Sequence, residues 1–308
     1  MKKLIVLFSL CITSASFAQQ DLLSMVDSLK PKTHEKVFAT FKTTKVINAQ
    51  STETVKKHCL DFRITHRFGS VGDESGGGVH TLYGWDAIAD VRLSFDYGIT
   101  DKITIGIGRS KRQEMIDGMF KWRFLEQTTD DRVPVSIALY EDVAFTPVSY
   151  SVLYSGTLDT VQKFAHRFSY VNQLVIARKF SRNFSLELLP THQHRNFVKG
   201  FINKDNEAED SNDLFALGAA LRWKVSKRIA ILVDYFHIFS EFRTNNPVTP
   251  YYDPVSLGIE IETGGHVFHL NFTNASGILE NDFIPNTNDT WSKGGYKFGF
   301  NISRVFNL

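Results

Sequence analysis

Short segments in which every second residue is apolar recur along this chain at the length that crosses a bilayer on a tilt, roughly nine to eleven residues. Ala89, Val91, Leu93, Phe95 and Tyr97 share one parity, while Asp90, Arg92, Ser94 and Asp96 share the other. A turn at Thr100, Asp101 and Lys102 then leads into Ile103, Ile105 and Ile107, alternating with Thr104, Gly106 and Gly108. Side chains of a strand point to opposite faces in turn, so each segment reads as a strand with one greasy and one polar side, and the pair reads as a hairpin. The pattern returns at Phe215–Trp223 with Ile229–Tyr235, and again at Leu257–Ile261 with His266–Phe272.

No stretch beyond residue 18 approaches the roughly 20 consecutive apolar residues of a spanning helix. An alternating strand hides its lipid-facing half from a hydropathy average, so this does not exclude a membrane. The fold expected is all-β, a transmembrane antiparallel up-and-down β-barrel of about 12 strands, starting at the segment Cys59–Phe68. The extended stretch Val37–Ile47 is left over: it is a piece in or under the barrel, or half of an extra pair that would make 14 strands. Connections alternate in length. Short turns fall near residues 99–102, 181–183, 226–228 and 263–265; long ones at 69–85, 146–163, 196–212, 243–254 and 274–294 are expected to face outward. Two joints break this rule, residues 110–114 being short and 126–132 long. The final alternation Tyr296, Phe298, Phe300, Ile302, Phe306, Leu308 resembles the C-terminal signal read by barrel-assembly machinery, although Arg304 interrupts it and the last residue is not aromatic.

The ends set the compartment. Lys2 and Lys3 precede an apolar run, Leu4–Ile12, too short to span, and Ser16 and Ala18 supply small residues for cleavage before Gln19. Residues 1–18 therefore read as a signal peptide, 19–57 as an N-terminal periplasmic or extended segment, and 58–308 as the barrel, with the bacterial outer membrane as destination. Cys59 is the one cysteine of the mature chain, so no internal disulfide is available, and it reads as structural. With 35 basic and 33 acidic residues the chain carries no polyanion-binding footprint, and nucleic acid is not an expected partner.

Asp90, Arg92, Asp96, Lys121, Arg123, Glu187, Arg222, Lys224, Glu260 and Glu262 lie on the polar parity and are the lumen-lining candidates, expected to meet water and tune ion preference or to brace the interior as ion pairs. Their mixed signs argue against strong charge selectivity. His192 and His194, two apart on one strand, point the same way as metal ligands do, but they share parity with Leu186 and Leu188, and no third ligand is fixed by spacing. The structural reading is preferred, and no metal or cofactor is expected. Gly76–Gly78 lacks the Lys and Ser or Thr of a phosphate loop, and the acidic run 205–213 lacks calcium-loop spacing.

Taken together, Leu60–Gly69 ending in His66, Arg67, Phe68, Gly69, the Asp96–Lys102 turn, Ile176–Phe180 and Pro190–Asn196 give the chain a resemblance to an uncharacterised family of outer-membrane β-barrels known only as a domain of unknown function. The resemblance implies a fold and an address, with no catalytic residues. Three functions follow as expectations. The first is a passive or weakly selective pore for small solutes. The second is a non-enzymatic binding or accessory barrel with a filled lumen, partnering a periplasmic protein through Gln19–Lys57 or an external ligand through the long loops. The third, an outer-membrane lipid-modifying enzyme or protease, is disfavoured because no nucleophile, histidine and acid spacing stands out. Outer-membrane lipid and the assembly machinery are the partners implied in every case.

Overall fold

A computed structural model describes residues 35–148 and 163–308. The expected signal peptide, and most of the connection near residues 146–163, lie outside the described residues. Twelve antiparallel strands follow one another around a closed barrel. They are β1 (Cys59–Ser70), β2 (Ile88–Thr100), β3 (Ile103–Ser110), β4 (Ile116–Leu125), β5 (Ser136–Phe145), β6 (Phe168–Lys179), β7 (Phe184–Arg195), β8 (Asp213–Lys224), β9 (Ile229–Phe239), β10 (Val255–Glu262), β11 (Val267–Thr273) and β12 (Lys297–Asn307). Each strand pairs with its chain neighbours, and the seam is closed by β1 on β12, in register from Cys59 opposite Asn307 to Arg67 opposite Gly299. Closure leaves no edge with unpaired amides, which is the condition for strands to live in hydrocarbon.

The two parities separate as the alternation demands. Leu93, Phe95, Ile105, Ile107, Leu217, Leu257 and Ile259 are all exposed on the outside, Ile107 at 58% and Leu217 at 42%. Asp90, Arg92, Lys121, Glu187 and Glu260, on the other parity, are buried. This is the inverse of a water-soluble domain, where a continuous apolar exterior on this scale is not tolerated. Aromatics gather at the strand ends. Trp85, Phe298 and Phe68 stack near the long-loop rim, with ring centroids 4.8 Å apart for Trp85 and Phe298, and Trp122 and Trp223 stand exposed near the rim of short turns. Arg304 turns across the Phe306 ring, its guanidinium carbon 5.0 Å from the centroid, so its charge leans along an aromatic on the outer face.

The interior is not empty. Residues 35–57 run up into the barrel and back down, and the connection between β11 and β12, expected to face outward, folds inward instead and forms helix α1 (Glu280–Asn286) inside the mouth. Its apolar residues dictate this: Phe283, Ile284, Ile278 and Leu279 are each at most 2% exposed, and burying them inside the mouth removes apolar surface from water. Phe283 meets the lumen-facing Phe236 of β9 edge to face at 5.1 Å. Gly218 of β8 makes the room, since a Cβ there would stand 2.5 Å from the Phe236 ring.

Candidate functional site: the occupied lumen

The inner wall is not uniform around its circumference. On β6 to β9 it carries Val171, Val175, Ala177, Leu189, Leu214, Ala216, Leu232 and Phe236, all buried; on β1 to β4 and β10 to β12 it is predominantly charged or polar. The incoming N-terminal segment matches that asymmetry. Phe41, Val46, Ile47 and Ala49 join the apolar arc in one cluster with Phe283 and Ile284 of the α1 insert. Its polar groups are met by charged and polar side chains on both arcs.

Residues 44–51 form a narrow finger. Val46 N–H donates to the Ala49 carbonyl at 2.8 Å and Ser51 N–H to the Thr44 carbonyl at 3.0 Å, so the tip is the turn Val46–Ala49. The wall grips this tip by its backbone. The Asp234 carboxylate of β9 accepts from the amides of Ile47, Asn48 and Ala49 at 3.2, 2.7 and 3.1 Å. Asn48 donates to Ser256 and Thr273 and accepts from Arg67 at 2.8 Å, so one side chain ties β10, β11 and β1 together. Lower down, Lys121 of β4 donates to the carbonyls of Thr44 and Ser51 and to Gln50 Oε1, at 2.7, 3.1 and 3.1 Å.

The two legs leave at the short-turn rim. The first is clipped to the β4–β5 connection, Val37 N–H donating to Gln127 O at 2.8 Å, and Lys179 donates to the carbonyls of Phe38 and Ala39. That accounts for the unusual length of this connection: it is a docking edge for the incoming chain. Glu53 accepts from the amides of Thr40 and Phe41, and burial pushes its carboxyl above the ordinary carboxylate range against the pull of Arg123. The second leg is held by the β2–β3 turn, with Lys57 N–H donating to Asp101 at 3.0 Å and His58 N–H to the Gly98 carbonyl at 2.9 Å.

Finger and loop insert meet inside the barrel. Lys45 donates to the Ile278 carbonyl at 3.0 Å and faces Glu280 at 3.5 Å, while Gln50 donates to Glu280 at 3.1 Å. Burial lowers the Lys45 ammonium below its ordinary value, partly countered by Glu280.

All ten lumen-lining candidates lie on the inner face, but their immediate neighbours are protein. Arg92 grips Asp117 with both nitrogens; Arg222 reaches Glu260 at 2.6 Å and Glu262 at 2.9 Å, and Lys224 also reaches Glu262. Glu262 holds Lys42 of the first leg at 3.2 Å, and Arg123 holds Glu53. Asp90 accepts the Arg112 amide at 2.9 Å, and Asp96 stands opposite Asp61 of β1. Glu187 is buried with neither carboxylate oxygen hydrogen-bonded among the described residues. Sequence reasoning missed Asp234 and Arg67, the two charged residues on the fingertip, although both lie on the inward parity. The insertion was one of the two places offered for Val37–Ile47, and the signal that would have decided for it is Leu189, Leu214, Leu232 and Phe236 on that same parity, since a water-filled lumen has no use for them.

His192 and His194 face outward at the long-loop rim, each 2.8 Å from the same oxygen of Asp213. Among the described residues no group of three or more metal-binding side chains is placed to hold an ion.

An inside-out sheet without edges, with a segment of its own chain lodged in the lumen, defines a membrane-spanning β-barrel carrying an internal plug. The chain belongs to the family described as "Membrane bound beta barrel domain (DUF5777)", whose model matches residues 41–306, from within the first leg of the plug to the end of β12. No curated protein matches it. Among solved structures it is similar to the NanC porin, at 7% identity and TM-score 0.47 over 81% of this chain and 99% of that one. It is likewise similar to the KdgM porin, at 8% and 0.44 over 81% and 99%. An outer membrane channel from Pseudomonas putida F1 gives 9% and 0.44 over 83% and 98%.

Proposed function

We propose that this protein is a non-enzymatic, gated conduit for small solutes in a bacterial outer membrane, reached through a cleaved signal peptide, and that the described conformation is its shut state. The observation that carries the reading is the mismatch between wall and plug. A barrel meant to be filled permanently is stabilised as well or better by apolar packing as by buried ion pairs. This wall keeps Arg92, Asp117, Asp142, Glu187, Arg222 and Glu260 buried, and Glu187, Asp142 Oδ1, Asp90 Oδ2 and Asp234 Oδ1 find no hydrogen-bond partner among the described residues. Unsatisfied buried groups cost about 1–3 kcal/mol each, more when charged, and water entering an open lumen would relieve that cost.

Planar-bilayer recording tests it, comparing the intact chain with one from which residues 40–52 and 276–288 are excised. Rare openings in the first and steady conductance in the second are expected. If the excised chain folds, as shown by heat-modifiable electrophoretic mobility, and still does not conduct, the conduit is refuted. The filled-lumen accessory barrel, favoured by the meeting of two inserts at Glu280, then takes its place.

A further inference from the structure

The mouth at the long-loop rim holds a cavity of about 240 Å³, separate from the finger and floored by the α1 insert. It is lined by Arg112, Arg167, Arg195, Phe168, Phe197 and Asn281, together with Gln113, Asn286 and Asn288, and no carboxylate among the described residues lines it. Two of the three guanidinium groups are neutralised from behind. Arg112 pairs with Asp282 at 2.7 Å and Arg195 with Asp210 at 2.9 Å. Arg167 is different: it donates to the Pro147 carbonyl at 2.9 Å and pairs with no carboxylate among the described residues. Asn281 supplies the complement. Its Nδ2 donates to Ser169, but its buried Oδ1 accepts from nothing in the described structure, which leaves an acceptor in search of a donor.

We infer that this cavity is a binding site for a small polyhydroxy carboxylate, its carboxylate on Arg167, a hydroxyl donating to Asn281 Oδ1, and its C–H face against Phe168 and Phe197. The chemistry selects each part. An uncompensated guanidinium takes a planar carboxylate in a bidentate fork. An orphaned amide oxygen takes a hydroxyl, which a bare inorganic anion at neutral pH offers poorly. The volume sits just below the range of about 300–1,000 Å³ typical of drug-sized ligands, suiting a single small solute. Because the floor is the α1 insert, the ligand would touch the outer plug directly. The site belongs to the shut protein, so it stands whether or not the barrel conducts.

Isothermal titration of the purified full chain in detergent, with gluconate as probe and glucose and inorganic phosphate as controls, tests the site. Saturable gluconate binding is expected, at least tenfold weaker in Arg167→Ala, between the two in Arg167→Lys, with glucose and phosphate each weaker than gluconate. Folding of every variant is checked by heat-modifiable mobility. No saturable gluconate binding, phosphate or glucose binding as tightly, or gluconate affinity indifferent to Arg167→Ala overturns the assignment.

Discussion

Asp234→Ala is the sharpest probe of how the finger is held. The wild-type carboxylate accepts three backbone amides of the fingertip, those of Ile47, Asn48 and Ala49. All three residues are fully buried, so after the substitution none of these donors has water at hand while the finger stays in place. An orphaned buried donor costs about 1–3 kcal/mol. Taking the low end for each, since the three share one acceptor and are not independent, gives about 3 kcal/mol against the inserted state. At about 1.4 kcal/mol per decade, the equilibrium between lodged and released finger moves by roughly two powers of ten. The barrel itself keeps its ladder, because Asp234 contributes no strand-pairing side chain that the seam depends on. The assay is maleimide labelling of Ala49→Cys in a Cys59→Ser background, reconstituted in vesicles, with bilayer recording alongside. A labelling rate up by about a hundredfold is expected, with more frequent openings. Unchanged labelling in a folded Asp234→Ala protein would refute the idea that this carboxylate holds the tip.

Phe283→Ala should loosen the loop insert while sparing the barrel, at the roughly 3–5 kcal/mol of a buried Phe truncation, seen as faster proteolysis between residues 274 and 294 with heat-modifiable mobility unchanged. Leu217→Arg puts a charge on the outer face midway along β8 and should cost about 2–4 kcal/mol of barrel stability, measured by urea unfolding in vesicles; a soluble-domain surface would tolerate it. Finger docking should also respond to acid. Glu53 has a raised value when docked and its ordinary value of 4.5 when released, so docking takes up a proton. Its contribution is complete below 4.5 and is lost as pH rises through the raised value; Glu53→Gln should flatten the pH dependence of finger labelling across that window.

The barrel was legible because its physics is local. Alternation at Ala89–Tyr97, the turn at Thr100–Lys102 and the flush ending of β12 each report which side of a strand faces lipid, and lipid leaves no other closed solution for strands. The number of strands followed from parity once Cys59 was taken as the first. The occupancy of the lumen was less legible, since it depends on contacts 70 to more than 200 residues apart, such as Lys121 with Ser51 and Gln50 with Glu280. Residues 37–47 were left over from the strand count, either in or under the barrel or half of an extra pair, and nothing local to them says what they touch. The 274–294 connection lies at the rim its length predicted, but its fold into the mouth was not foreseen. Gly, Asn and Asp mark it as a loop, whereas Ile278 and Leu279 just before the short helix and Phe283 and Ile284 within it, which send it inward, form a buried face only once the chain is folded.

The exit leg from finger to β1 is only a few residues long, with Lys57 and His58 pinned to the β2–β3 turn. A stopper on so short a tether cannot be lost by dilution. Once displaced it confronts the opening at an effective concentration on the order of millimolar. Any solute or partner protein that keeps the passage clear must therefore outcompete a neighbour that never diffuses away, and recovery after its departure needs no second molecule.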